Sequence, residues 1–177
     1  MKALSYKILT TVARYAEAAA SIGNPGDCAI VERGGVHRQL VMRCPDGCGE
    51  ILSVNLDGRS GPAWRLYKKR GVWSLFPSID RPSGCLSHFI LWHGRVLWCS
   101  ALDGDEGGDQ LIEINSEQIL AILCDGRSAS FVQIADKLDE LPWDVLTVCR
   151  SLARRGILEE GTGKQRGIFS VKCRFEA

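Results

Sequence analysis

The stretch RCPDGCGE at residues 43–50 places two thiols, Cys44 and Cys48, in one turn with a proline and two glycines. Apolar residues alternate on both sides of it, in CAIVERGGVHRQLVMRC before and EILSVNL after. Period-two alternation reads as half-buried strands, and Gly34-Gly35 between two such runs reads as a hairpin turn. An exposed turn gives a cysteine no core to fill, so this pair asks for another reason. Glycines let backbone amides point inward at thiolate sulfurs, and zinc prefers four sulfur or imidazole donors in a tetrahedron. The turn therefore reads as a zinc knuckle that needs a second ligand pair. GCLSH supplies Cys85 and His88, and Cys99 closes the following hairpin. Two ligand sets for a structural Zn2+ compete: Cys44, Cys48, Cys85 and Cys99, or the first three with His88. The four-thiolate set is preferred.

Short strand-like runs continue to about residue 102. AWRLYKKRGVWSLFPSI reads as two strands around KKRG, and CLSHFILWHGRVLWCSAL as a hairpin with His93-Gly94 at its turn. Ahead of this region, Tyr6, Ile8/Leu9, Val12 and Tyr15/Ala16 recur at helical spacing, which predicts an amphipathic helix within residues 1–25. Arg14 and Glu17 interrupt what would be the apolar centre of a signal peptide, and no run approaches the roughly 18–20 apolar residues of a membrane span. A cytoplasmic protein is expected. Eight cysteines in a cytosolic chain do not read as a disulfide framework. Cys28, Cys124, Cys149 and Cys173 read as core residues.

DGDEGGDQ marks an acidic, Gly-rich linker over residues 103–110. Beyond it the period changes. Three short helices are expected, with Ser116 and Ser130 as caps of the first two and Pro142 in the first turn of the third. A hairpin with GTGKQRG at its tip follows. The fold class is thus α+β: a small, mostly antiparallel β domain over 26–102 with a zinc-knuckle turn, then a winged-helix-like domain over 111–177.

From the cysteine turn onward, CPDGCGE, a tryptophan, PSI and CLSHFIL..GRVLWC follow in order. This order resembles the BubE-like peptidase family, which is encoded beside ubiquitin-like proteins and their activating and conjugating enzymes in bacteria. The resemblance covers residues 26–100. It departs at Asp46, where the family often has a third cysteine, and at Leu86, where arginine is usual. It implies a peptidase that acts through a serine nucleophile on a ubiquitin-like protein, with that protein and its conjugation machinery as partners. Carried over residue by residue, it falls on Ser78 in PSI and on Ser87 and His88 in CLSH.

A serine hydroxyl needs a base, and histidine is the usual one. The chain has three histidines; His37 and His93 sit at turns, which leaves His88. Adjacent strand residues face opposite ways, so Ser87 and His88 do not share a pocket unless the strand is bulged. Either Ser78 works with His88 while Ser87 supports, or Ser87 works with another base. His88 cannot serve both a metal and catalysis. Glu50 and Asp80 are the candidate orienting acids. The aromatics Trp64, Trp73, Phe76, Phe89, Trp92 and Trp98 read first as core and cross-strand pairs.

Charge bears on the other reading, a non-enzymatic zinc-ribbon and winged-helix protein that binds nucleic acid. The net charge is +1, and residues 111–177 hold nine Lys/Arg against ten Asp/Glu. DNA affinity rests on phosphate neutralisation, so Thr147, Arg150, Ser151, Arg154 and Arg155 on the last helix do not make a basic module. Nucleic acid is not favoured, and no membrane partner is expected.

Overall fold

The computed structural model describes residues 2–99, 114–124 and 126–172. The chain divides into two compact units, Met1–Asp105 and Glu106–Ala177. The expected linker at 103–110 and Cys173 lie outside the described residues. No helix among those described is long and apolar enough to cross a membrane.

The first unit opens with a strand rather than a long helix. β1 (Lys7–Val12) runs parallel to β2 (Asp27–Arg33), and helix α1 is confined to Tyr15–Ser21. The helix expected across residues 1–25 is therefore corrected. Ile8, Thr10, Thr11 and Val12 are β-branched and lose rotamer freedom in a helix, while the open edge of β2 satisfies their backbone groups. β2 turns through Gly34 and Gly35, both at positive φ, into β3 (Val36–Arg43), and β3 pairs with β4 (Ile51–Asn55). The sheet order is β1-β2-β3-β4.

Alternation divides this sheet into two faces. Cys28, Ile30, Leu40 and Met42 face one core, which also takes Leu75, Ile79, Phe89, Leu91 and Val96. Ala29, Val31 and Val41 face the other way and pack with Ala18 of α1 and Ile22. The first core is closed by the hairpin β5 (Arg65–Lys69) with β6 (Val72–Phe76) and by the sheet β7 (Ile79–Asp80), β8 (His88–Trp92) and β9 (Arg95–Trp98). Phe89 and Trp98 form a cross-strand pair with ring centroids 5.6 Å apart, as the aromatic pattern suggests.

The second unit runs α2 (Ser116–Ile122), β10 (Ser128–Ser130), α3 (Phe131–Leu138), α4 (Pro142–Arg154), β11 (Leu158–Glu160) and β12 (Ile168–Val171). Its antiparallel sheet has the order β10-β12-β11. Ser130 and Gln133 form a capping box at α3, and Pro142 opens α4. The cap of α2 is Asn115, whose side chain accepts the Glu117 N–H; Ser116 is the first helical residue instead. Ile119, Leu123, Ile134, Val145, Cys149, Leu152 and Phe169 make the core. Cys124, expected in a core, is exposed.

Candidate active site and thiol cluster

The segment between β6 and β8 carries chemistry on two faces. Ser78 precedes β7, and its carbonyl accepts the Trp64 indole N–H at 3.2 Å. Its Oγ lies 3.0 Å from His88 Nε2. Ser87, one residue before His88, points the other way: it is buried, with its Oγ 3.1 Å from Cys85 Sγ and 4.0 Å from Cys44 Sγ. Strand alternation thus turns one of two adjacent residues toward the serine and the other toward the thiols. Leu86 adopts positive φ (52°) and is 70% exposed, so the chain enters β8 through a left-handed residue.

Asp80 pairs directly with His88 across β7 and β8. The Arg81 N–H donates to the Ser87 carbonyl at 3.0 Å, so those two residues form a hydrogen-bonded pair. Pair types alternate along an antiparallel ladder, which makes Asp80 and His88 a non-hydrogen-bonded pair with side chains at their closest. Ser78 and Asp80, two residues apart in extended chain, share the face that His88 occupies. Glu50 stands elsewhere. It is ion-paired with Arg81 beside the thiols, and of the two candidate acids Asp80 is the one set cross-strand from His88.

The sulfurs of Cys44, Cys48 and Cys85 lie within 4.8 Å of one another, with 3.7 Å between Cys44 and Cys85. Tetrahedral zinc with Zn–S near 2.3 Å sets sulfurs about 3.8 Å apart, so the donor type and spacing fit three corners of such a site. Cys99, expected as the fourth ligand, is not in the cluster. The β8–β9 ladder ends at Phe89 opposite Trp98, which leaves Cys99 level with His88 instead of Cys85. His88 is not in the cluster either, because it is turned to Ser78.

Burial raises the Cys44 thiol, and the neighbouring Cys48 and Cys85 sulfurs add to the rise; these outweigh the Asp46 N–H and Arg81, and the thiol is pushed up to about 11. For Cys85 burial also disfavours the thiolate. The Ser87 side chain and backbone, with the other two thiols, outweigh it and bring Cys85 down to about 7. Of these two sulfurs, Cys85 is the more disposed to carry charge.

Sequence reasoning missed Arg81. Its Nη1 stands 3.0 Å from Cys85 Sγ, 3.6 Å from Cys48 Sγ and 3.7 Å from Cys44 Sγ, and its Nη2 donates to Glu50. Burial opposes its charge, but Glu50 and the thiols outweigh that and hold the guanidinium protonated. A lone arginine in DRPSG left no pattern to notice.

A serine hydroxyl at hydrogen-bond distance from an imidazole, on a β scaffold, is the pairing that serine hydrolases use. Residues 15–99, within the first unit, match the model of the family described as "Bacterial ubiquitination-like system serine protease (BubE)". The match starts at Tyr15, so it takes in α1 as well as the β region. No curated protein and no solved structure matches the chain.

Proposed function

We propose that this protein is a serine peptidase that cleaves at the C-terminus of a ubiquitin-like protein, maturing a precursor or releasing the modifier from its targets. Ser78 is the nucleophile, His88 the general base and Asp80 the acid that orients the imidazole. The observation that carries this is the 3.0 Å contact between Ser78 Oγ and His88 Nε2 within the family-matched segment. In the first half-reaction Ser78 Oγ attacks the carbonyl carbon of the scissile bond while His88 Nε2 takes its proton. His88 returns that proton to the leaving amine, and an acyl-serine remains. Water, deprotonated by His88, then releases the carboxylate product.

The three thiols offer donors for a metal. Cys44, Cys48 and Cys85 would hold Zn2+, which when bound would brace the turn and the entry to β8. Ser87 faces that cluster and His88 faces away from it, so the metal and the reacting serine belong to opposite faces of one strand.

We read the second unit, with its helices and the antiparallel sheet β10-β12-β11, as a winged-helix-like docking module for a protein partner. Arg150, a candidate phosphate contact, is paired with Glu160 at 3.3 Å, and Glu160 also accepts the Gly167 N–H. That pairing favours a protein partner over nucleic acid. The test is intact-mass analysis of a ubiquitin-like precursor encoded beside this protein, incubated with wild type, Ser78→Ala, Ser87→Ala and His88→Ala. Loss of cleavage in Ser78→Ala and His88→Ala alone supports this assignment. Loss in Ser87→Ala with retention in Ser78→Ala moves the nucleophile to Ser87. No cleavage by folded wild type, with salt-sensitive binding to duplex DNA, turns the reading to a nucleic-acid-binding protein.

A further inference from the structure

The thiol cluster carries its own cation, and the position of that cation is informative. In a zinc site with Zn–S near 2.3 Å and a nitrogen donor at about 2.0–2.1 Å, the donor stands about 3.5 Å from each sulfur. Arg81 Nη1 lies 3.0, 3.6 and 3.7 Å from the three sulfurs. It therefore stands at the fourth corner of the tetrahedron that the sulfurs begin. A guanidinium keeps its protons and offers no lone pair, so it donates to sulfur and cannot ligate a metal.

The other donors for that corner are engaged elsewhere. His88 is on Ser78, and Asp46 is paired with Lys2 at 3.6 Å. Arg81 is anchored as well as placed. Glu50 holds Nη2 from behind, and the Arg81 backbone N–H is bound to Ser87. Gly84, at φ +72°, leaves room for the pair; a Cβ there would lie 2.9 Å from Arg81 Nη2 and 3.2 Å from Glu50 Oε2.

We propose that Arg81 is a built-in substitute for a metal ion: its guanidinium bridges Cys44, Cys48 and Cys85, the domain folds around it without zinc, and zinc enters only by displacing it. A small domain whose knuckle depends on zinc unfolds under chelation. A domain whose knuckle is closed by a guanidinium does not.

The test uses the full chain under reducing conditions, with zinc affinity read by competition against a chromophoric chelator and Tm read with and without chelator. For wild type, Tm moves by less than about 2 °C between the two conditions, because little binding energy is linked to folding. Arg81→Met removes the cation and keeps the apolar stem. It binds zinc at least tenfold more tightly than wild type and gains a zinc-dependent rise in Tm. Glu50→Gln, which loosens the anchor and leaves Arg81 in place, gives a smaller gain in affinity. Arg81→Met that folds only with zinc supports the proposal equally. If it folds under neither condition, Glu50→Gln decides: unchanged affinity there overturns the proposal. It is also overturned if wild type unfolds on chelation, or if Arg81→Met binds zinc no more tightly. None of these readouts depends on peptidase activity, so the outcome is separable from the function proposed above.

Discussion

Ser87 and His88 are neighbours in the chain and serve opposite faces of it. Ser87 Oγ is 3.1 Å from Cys85 Sγ, while His88 Nε2 is 3.0 Å from Ser78 Oγ. If Ser78 is the nucleophile, Ser78→Ala and His88→Ala lose cleavage by roughly 10⁴-fold or more in kcat. Ser87→Ala keeps most of the activity and lowers Tm, because a buried hydroxyl contact to the thiols is gone. Steady-state kinetics and thermal melts on the same preparations check both halves.

In the proposed mechanism Asp80 acts through the imidazole and not on substrate. Asp80→Asn is expected to lower kcat by about 10²–10⁴-fold with little change in KM, as loss of an orienting carboxylate does. Asp80→Glu recovers part of the loss, which a merely structural role would not produce. Glu50→Gln leaves kcat within about threefold of wild type, since Glu50 pairs with Arg81 instead of His88.

Asp27 gives the first unit a defined pH dependence. Burial raises its carboxyl, but the Asn24 and Gly23 N–H groups, the Asn24 side chain and Lys7 outweigh that and hold it below the usual carboxylate range. A depressed carboxyl stabilises the fold above its unfolded value, near 4, and loses that contribution as pH falls through its folded value. Asp27→Asn should therefore cost about 1–3 kcal/mol at pH 7. The gap to wild type should close in acid, as measured by denaturant melts from pH 7 to pH 3.

Gly84→Ala strains the backbone at φ +72° and drives a methyl group into the Arg81–Glu50 pair. The expected loss is about 1–3 kcal/mol. Gly23→Ala is a control for added volume, because no atom lies within 4 Å of a Cβ there.

Ser130→Ala removes the side chain that accepts the Gln133 N–H and breaks the capping box of α3. It should cost the second unit about 1 kcal/mol. Ser116→Ala should cost less, since Asn115 caps α2. Circular-dichroism melts of the full chain distinguish the two.

The strands were legible where their period was undisturbed. Val36–Arg43 and Ile51–Asn55 carry apolar residues on one face at period two and form strands, and the apolar run of His88–Trp92 before the His93-Gly94 turn does too. So do the turns that need positive φ, with Gly34, Gly35 and Gly94 where the hairpins reverse. β1 was not legible. Its apolar spacing satisfies a helix as well as a strand, and the choice belongs to β2, some twenty residues later, whose edge it fills. β7 was too short to carry a period of its own.

The sequence by itself determined which residue types were available for chemistry: three histidines, a thiol pair in a glycine turn, and serines in PSI and CLSH. It also determined, through period-two alternation, that Ser87 and His88 face apart. Only the tertiary structure decided their partners. The β7–β8 register set Asp80 beside His88, the ladder's end at Trp98 kept Cys99 from the other thiols, and the return of residues 81–85 to the knuckle brought Arg81 there. Side-chain direction follows from local backbone geometry, which a sequence carries in its period. Partnership follows from long-range register, which is fixed when both faces of a sheet bury their apolar residues at once.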